Sequence, residues 1–476
     1  MTENIYFGTD GWRARMDESF TEQNVAIVSQ GIANYILFKG KGPKGIVIGY
    51  DTRKNSRKFA EICSSILATN GIKTYLSEFD VPTPVITYAI IHKNAAGAVM
   101  FTASHNPPEF NGIKFIPEYA APAMPDVTDE LVKRIQEIQK NKLIKLMAFQ
   151  VALNNSLIVQ FQPKKAYIDN ILAKLNVDVI KNANLKIIFD PLYGTGRTYV
   201  PEILKKMGLD CEVIHKNLDP NFGGNMPNPN EKLLSELKDN VILKNADIGI
   251  ACDGDADRSG AIDNKGRFIS ANIIFATLLK YYLDNNQTGL VVRTVSTSHI
   301  IDAIAQKYDI KVIETPVGSK YIGKWKREKG ILIGGESSGG LMFKEHIPEK
   351  DGIYTNLKLI EMICYYKKSF SSIIDDIINE FGNFYFKEIN FPCKDSEKAI
   401  IMKKVQTILP QSILGKKIIK KEDMDGFKFV IEDGSWILIR PSGTEPLLRL
   451  AGESLDKKFL DSLLEEGAKI LEQAKK

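Results

Sequence analysis

A serine and a histidine stand side by side at Ser104 and His105, inside F-T-A-S-H-N-P-P (residues 101–108). The small apolar run 95–100 before them reads as the end of a buried strand, and Pro107 and Pro108 forbid continuation as a helix or central strand. A rigid loop carrying a hydroxyl beside an imidazole is either a nucleophile site or a polar turn closing a strand. Far along the chain, D-G-D-A-D-R (253–258) sets Asp253, Asp255 and Asp257 at period two. In an extended segment all three carboxylates face one way, and their repulsion calls for a divalent cation. Oxygen-only ligands favour magnesium, manganese or calcium over zinc. An EF-hand fails, because Arg258 stands where that loop needs glycine and Asn264 where it needs a bidentate glutamate. A solvated acidic turn is the alternative reading.

Three glycine-bearing loops add to these. G-E-S-S-G (335–339) matches the G-x-S-x-G nucleophile elbow, which would imply an α/β-hydrolase. Only His346 lies downstream of Ser337, and no helix is evident after the serine, so the hydrolase triad is not supported. Glu336 and Ser338 are better suited to hydrogen-bond sugar hydroxyls. In R-P-S-G-T-E-P (440–446), Arg440, Ser442, Gly443 and Thr444, with Arg449 beyond, suit a phosphate. Glycine admits close backbone N–H groups, the hydroxyls donate, and the arginines supply charge and fork geometry. A plain loop between strands is the competing reading. In F-G-T-D-G-W-R-A-R (7–15), Gly8 and Gly11 mark a flexible loop and Arg13 follows, either as a surface turn or as an anion contact. P-L-Y-G-T-G-R-T (191–198) is neither a dinucleotide fingerprint, since Tyr199 replaces the third glycine, nor a P-loop.

The elements that must position these loops follow from periodicity. Helical spacing spans 21–37 and 57–69, with strands at 45–50 and 72–76. A second unit has a helix at 164–175, strands at 185–190, 211–216 and 246–252, and a helix near 231–243. A third has helices at 273–283 and 298–307 and strands at 290–293, 311–314 and 331–333, with Thr315, Gly318 and Lys320 in the loop T-P-V-G-S-K. This repeated alternation predicts an α/β molecule of mixed, mostly parallel sheets, with functional loops at the carboxyl ends of the strands. After about residue 382 the pattern changes to hairpins (427–432, the turn Asp433-Gly434, then 435–440) and an amphipathic helix at 457–475, which reads as a small α+β domain.

Composition sets outer bounds. A chain of 476 residues exceeds one hydrophobic core, and 44% hydrophobic with 25% charged residues is an ordinary globular balance. The net charge of +5 is not gathered in a tail, which argues against nucleic acid and suits an anionic small substrate. Five cysteines, odd in number and without C-x-x-C spacing, predict reduced thiols in a cytoplasm. No segment has the apolar length of a membrane span, and the N-terminal residues lack the basic and apolar regions of a signal peptide.

Taken together, T-A-S-H-N-P, D-G-D-A-D-R, G-E-S-S-G and R-P-S-G-T-E-P, in that order, resemble the phosphoserine, metal, sugar and phosphate loops of the α-D-phosphohexomutase family, and F-G-T-D-G-W-R resembles its N-terminal signature. The resemblance covers essentially the whole chain. It implies a heart-shaped molecule with a central cleft and four domains: 1–155 with the phosphoserine, 156–265 with the metal site, 266–378 for sugar recognition and 379–476 for phosphate binding. It implies Ser104 as the phosphoserine, with magnesium on Asp253, Asp255, Asp257 and a phosphate oxygen of Ser104. Glu336 and Ser338 would hold the sugar, with Thr315, Gly318, Lys320 and His346 as further substrate contacts. Arg440, Ser442, Gly443, Thr444 and Arg449 would grip the phosphate that is not transferred. Arg13, Lys114 and Arg258 would surround the transferring phosphate, and His105 would support the phosphoserine loop.

One departure stands out. Many members specific for mannose or glucosamine phosphates close the sugar loop with histidine, whereas Gly340 stands there here. H-I-P-E-K-D-G (346–352) is similar to the phosphoglucomutase type, which makes Lys350 the candidate acid–base group, with Lys114 second. The implied activity is a phosphoglucomutase/phosphomannomutase of the cytoplasm, monomeric or homodimeric, acting on a phosphosugar with hexose 1,6-bisphosphate as activator. The alternatives are a glucose-1,6-bisphosphate synthase or phosphopentomutase of the same fold, and a non-catalytic phosphosugar-binding protein.

Overall fold

The computed structural model describes residue 5 and residues 11–181, 183–408, 410–443 and 445–476. Four sheets follow one another along the chain. The first has six strands in the order Trp12–Arg15, Phe110–Pro117, Gly97–Phe101, Ile46–Tyr50, Thr74–Ser77, Ile158–Phe161. Its centre is parallel, and Phe110–Pro117 runs antiparallel to both its neighbours. Ile46–Tyr50 and Gly97–Phe101 are buried along their whole length, which is why they read as unbroken apolar runs. Helices Glu22–Phe38, Ser56–Thr69 and Thr83–Lys93 pack against this sheet or one another, with Thr21 capping the first through its side-chain oxygen.

The second sheet orders Phe268–Ile269, Ser259–Asp263, Ile248–Cys252, Ile187–Asp190 and Cys211–Val213. The third orders Val312–Thr315, Val291–Thr294, Ile333–Gly335 and Leu341–Phe343. Both are mixed, with a parallel centre and an antiparallel edge. The fourth, from Tyr385–Pro392 to Ser412–Ile413, is antiparallel throughout and packs on helix Lys457–Lys475. Three mixed α/β sheets and a C-terminal sheet domain are thus the architecture that the alternation predicts.

Two features differ from the sequence expectation. Trp12–Arg15 is an edge strand paired with Phe110–Pro117, not a flexible loop, because Trp12 is buried against Phe20 and anchors the segment. Residues 6–10 of that motif, Gly8 included, lie outside the described residues. The first sheet also takes its last strand, Ile158–Phe161, from beyond residue 155, since that strand pairs in parallel with Thr74–Ser77.

One apolar cluster runs continuously through the first three sheets and their helices, from Met100 through Phe189 and Phe275 to Phe343. The C-terminal domain has its own core around Phe429, Leu450 and Leu464. It meets the third domain through a small patch of Val295, Trp436, Leu438 and Ala451. Within that contact, buried Lys428 donates to Val295 O at 2.9 Å and to Glu314 Oε1 at 2.8 Å. No helix among the described residues is long and apolar enough to cross a membrane, and all five cysteines are free.

Candidate active site

Strand Gly97–Phe101 ends and the chain turns at once into Ser104, which has φ +50° and is 1% exposed. A non-glycine residue held in the left-handed region is costly, and such strain is maintained only where the surroundings enforce it. Here Arg53 enforces it. Its buried guanidinium donates to the carbonyls of Ser104 (2.7 Å), Asn106 (2.6 Å), Pro107 (2.7 Å) and Phe110 (3.1 Å). Asp51 pairs with Arg53 Nε at 3.2 Å, and Phe222 from the second domain stacks beneath, with its ring centroid 4.9 Å from the guanidinium. The sequence reading missed Arg53, although D-T-R directly after a buried strand was the available signal.

Ser104 Oγ donates to Asp253 Oδ2 at 2.7 Å, across 149 residues of chain. The three aspartates converge, but not by extended alternation. Residues 253–257 form a turn, with Ala256 at φ +57°. Asp253 Oδ1 accepts the backbone N–H groups of Asp257 and Arg258, both at 3.0 Å, and this folds the loop back on itself. All three carboxylates are fully buried and offer oxygens within 4.8 Å of one another. Thr83 Oγ1 donates to Asp255 Oδ2 at 2.6 Å. Lys114 Nζ bridges Asp255 Oδ2 at 2.8 Å and Asp257 Oδ2 at 3.0 Å, and Lys350 Nζ lies 3.3 Å from Asp257 Oδ2. Among the described residues, Asp255 Oδ1 and Asp257 Oδ1 have no hydrogen-bond partner. Buried, partnerless carboxylate oxygens beside a third carboxylate are what a hard divalent cation takes as ligands, so the residues present fit one.

Charge is divided unevenly here. Burial and then the charges of Asp255 and Asp257 push the Asp253 carboxyl well above its ordinary range. Burial would also raise Asp257, but the cations Lys114, Lys350 and Arg258 outweigh it and hold that carboxyl well below. His105 Nδ1 lies 3.4 Å from Ser104 Oγ, and burial together with the charges of Arg258 and Arg13 pushes its imidazole well below the usual value. Arg13 Nη1 donates to Asn106 Oδ1 at 3.0 Å, which places that arginine on the same loop. A cavity of about 20 Å³ beside Lys114, Asp257, Glu349 and Lys350 has room for about one water.

The loop 335–340 abuts the aspartate loop. Ser259 N–H donates to Gly339 O at 3.1 Å, and Gly352 N–H donates to Ala256 O at 3.0 Å. A Cβ built at Gly340 would fall 2.2 Å from Lys350 Cδ. Glu336 is buried, and its Oε1 accepts Gly318 N–H at 3.0 Å, while Ser338 is exposed. Lys320 lies close by, its Nζ 5.2 Å from the Tyr321 ring centroid. The hydroxyl of buried Thr315 is spent on Pro316 O at 3.1 Å and Arg293 O at 3.5 Å.

Arg440 closes strand Trp436–Pro441, and its Nε donates to Asp425 Oδ2 at 3.1 Å. Ser442 follows, its Oγ accepting Glu445 N–H at 3.2 Å, and Gly443 is exposed. Thr444 lies outside the described residues. The Arg449 guanidinium is paired with Glu388 and Glu445.

His346 is buried between two domains. Its side chain is 1% exposed, its Nε2 lies 2.7 Å from Asp351 Oδ2 and its Nδ1 3.3 Å from Lys174 Nζ. It stacks on Tyr354 with centroids 4.4 Å apart. Tyr167 OH donates to the same Asp351 oxygen at 2.6 Å, so His346 belongs to a buried joint between the second and third domains.

Family models described as phosphoglucomutase/phosphomannomutase domains match this chain in order: alpha/beta/alpha domain I at 4–142, domain II at 165–266, domain III at 270–381 and the C-terminal domain at 388–470. The phosphoglucomutase/phosphomannomutase of Thermococcus kodakarensis is 32% identical over 477 residues, 99% of each chain. The phosphoglucosamine mutase of Methanococcus maripaludis is 32% identical over 436 residues, 90% of this chain and 92% of that one. Among solved structures, the open form of parafusin (phosphoglucomutase) from Paramecium superposes with a TM-score of 0.83 at 24% identity, covering 100% of this chain and 96% of that one. With a buried serine on an aspartate triplet and four matched domains in order, the chain belongs to the phosphoglucomutase/phosphomannomutase family.

Proposed function

We propose that this protein interconverts hexose 1-phosphate and hexose 6-phosphate through a phosphoserine at Ser104, with glucose and mannose phosphates as substrates. The observation that carries the reading is the 2.7 Å contact of Ser104 Oγ with Asp253, beside two buried aspartate oxygens without hydrogen-bond partners among the described residues. Asp253, Asp255, Asp257 and a phosphate oxygen on Ser104 would hold magnesium. When bound, the ion offsets phosphoryl charge as the loose transition state develops.

The chain's own groups set up the rest. Phosphorylated Ser104 yields its phosphoryl group to the free hydroxyl of a hexose monophosphate: the bond from phosphorus to the sugar oxygen forms as the bond to Ser104 Oγ breaks, and Oγ leaves as the unprotonated oxygen that attacks in the return step. Lys350, which sits beside the aspartate loop, takes the hydroxyl's proton in its uncharged amine form, not in the cationic form that pairs with Asp257. The resulting hexose 1,6-bisphosphate reverses end for end and returns its other phosphoryl group to Ser104, with Lys350 giving the proton back. Arg13, Lys114, Arg258 and His105 hold charge around the transferring group, while Arg440, Ser442 and Gly443 grip the other phosphate. Glu336 and Ser338 take the sugar hydroxyls. Gripping a phosphate at either end of the sugar calls for a mobile clamp, and the small apolar contact of the C-terminal domain is consistent with one. Free bisphosphate would restore enzyme that has lost its phosphate.

Glucosamine phosphate is the second reading, favoured by the name of the Methanococcus relative. Gly340 favours the first, because Lys350 occupies the space above it. Turnover on glucose, mannose, glucosamine and ribose 1-phosphates, with and without glucose 1,6-bisphosphate, decides among these and the synthase and pentomutase alternatives. Full activity of Ser104→Ala would overturn the proposal.

A further inference from the structure

The phosphate-gripping arginine is not held by its own strand alone. Asp425 precedes strand Phe427–Ile431 in a tight turn, with Gly426 at φ +89° and its ideal Cβ position 2.2 Å from Ile439 O. Only glycine fits so close to the next strand, so the turn fixes where Asp425 stands. One oxygen of Asp425, Oδ2, accepts from Arg440 Nε at 3.1 Å and from Val317 N–H at 3.0 Å. The next residue, Gly318, gives its N–H to Glu336 Oε1 at 3.0 Å. A continuous path therefore runs from Arg440 through Asp425, Val317 and Gly318 to Glu336, from the C-terminal domain into the sugar loop. Lys428, three residues after Asp425, fastens the same hairpin to the third domain through Val295 O and Glu314.

We propose that Asp425 is a positioning residue that orients Arg440 for phosphate and ties that grip to the sugar-loop carboxylate. This rests on the reading of Arg440 as a phosphate ligand. A carboxylate on Nε leaves unused the Nη1–Nη2 edge, which is the geometry for bidentate phosphate binding. Without Asp425, the guanidinium samples several orientations and binding bears the ordering cost. The effect falls on affinity, because the transferring phosphate sits elsewhere.

A double-mutant cycle on the full-length enzyme tests this, with α-glucose 1-phosphate as substrate and saturating glucose 1,6-bisphosphate. Arg440→Ala raises KM by roughly 30-fold. Asp425→Ala raises it about tenfold with kcat changed by no more than about twofold. The double variant is no worse than Arg440→Ala alone, whereas a general folding defect would multiply the two effects. Asp425→Asn keeps an acceptor oxygen and falls between wild type and alanine; it carries the test if the alanine variant does not fold. Multiplying effects, or unchanged KM in both Asp425 variants while Arg440→Ala is impaired, overturns the assignment of Asp425 alone. Unchanged KM in Arg440→Ala overturns the phosphate reading and this inference together.

Discussion

Lys350 lies across the face of Gly340, close enough that a methyl group there would fall 2.2 Å from the lysine's Cδ. The two residues are therefore coupled: the lysine stem occupies the space that any side chain at 340 would claim. Lys350 Nζ, at the far end of that stem, reaches to 3.3 Å from Asp257. Gly340→Ala must displace the lysine, so kcat falls in the same direction as in Lys350→Met, which loses about 10²- to 10⁴-fold. Steady-state kinetics checks both, and a Gly340→Ala enzyme with wild-type kcat would separate the lysine from the chemistry.

Ser104→Ala removes the only oxygen of residue 104 that can carry phosphate. Activity drops by about 10⁴-fold or more, and no bisphosphate concentration restores it. Intact-mass spectrometry after incubation with glucose 1,6-bisphosphate shows one added phosphate on the wild type and none on the variant.

Chelation abolishes turnover, and magnesium restores it better than zinc, because the donor set is all carboxylate oxygen. Binding to the folded state alone also raises stability, by about 2.7 kcal/mol at a hundredfold excess over Kd. Asp255→Asn and Asp257→Asn shrink that magnesium-dependent rise in Tm, which is read without any activity measurement.

His215 stands between Asp190, at 3.0 Å, and Glu236, at 3.1 Å. The Asp190 hydrogen bond outweighs burial and raises the imidazole pKa above its ordinary 6.5. A raised folded-state pKa gives stability that is complete below the unfolded value and lost as pH rises through the folded one. His215→Asn tolerates the local φ of +46° and removes the charge. The variant's Tm deficit is accordingly largest near pH 5.5 and shrinks above neutrality, with a size of about 0.5–1 kcal/mol for so partly exposed a pair. A deficit independent of pH would refute the pairing.

His346→Gln tests whether that histidine serves the fold or the substrate. Its ring is locked among Asp351, Lys174 and Tyr354, so the variant loses about 2–4 kcal/mol of stability. KM for the phosphosugar stays near wild type in enzyme that remains folded, as measured by kinetics beside thermal unfolding.

Several parts of the proposed site were legible in the chain itself because they are contiguous. Ser104 with its prolines, the aspartate triplet, the sugar-loop glycines and Arg440-Pro-Ser-Gly each carry donors and backbone freedom within a few residues, and the strand–helix alternation that presents them has a local period. The departure at Gly340 was equally visible. What periodicity cannot report is which loops meet. Thr83 reaches Asp255 across 172 residues, Lys114 reaches it across 141, and Asp425 touches Val317 across 108. Those meetings depend on sheet register and on how three domains share one apolar core, so Arg53 and Asp425 go unread although each adjoins a strand that the pattern predicts. His346 shows the same limit: its position after residues 335–340 suggests a ligand, whereas only packing reveals that its nitrogens face Asp351 and Lys174. Even the aspartates converge through a turn closed by Asp253 on its own backbone, and only the folded loop could distinguish that from a strand. Short-range residue chemistry is written in the sequence, whereas the partner of each group is chosen by tertiary packing, where buried charge must find its counter-charge or leave room for a cation.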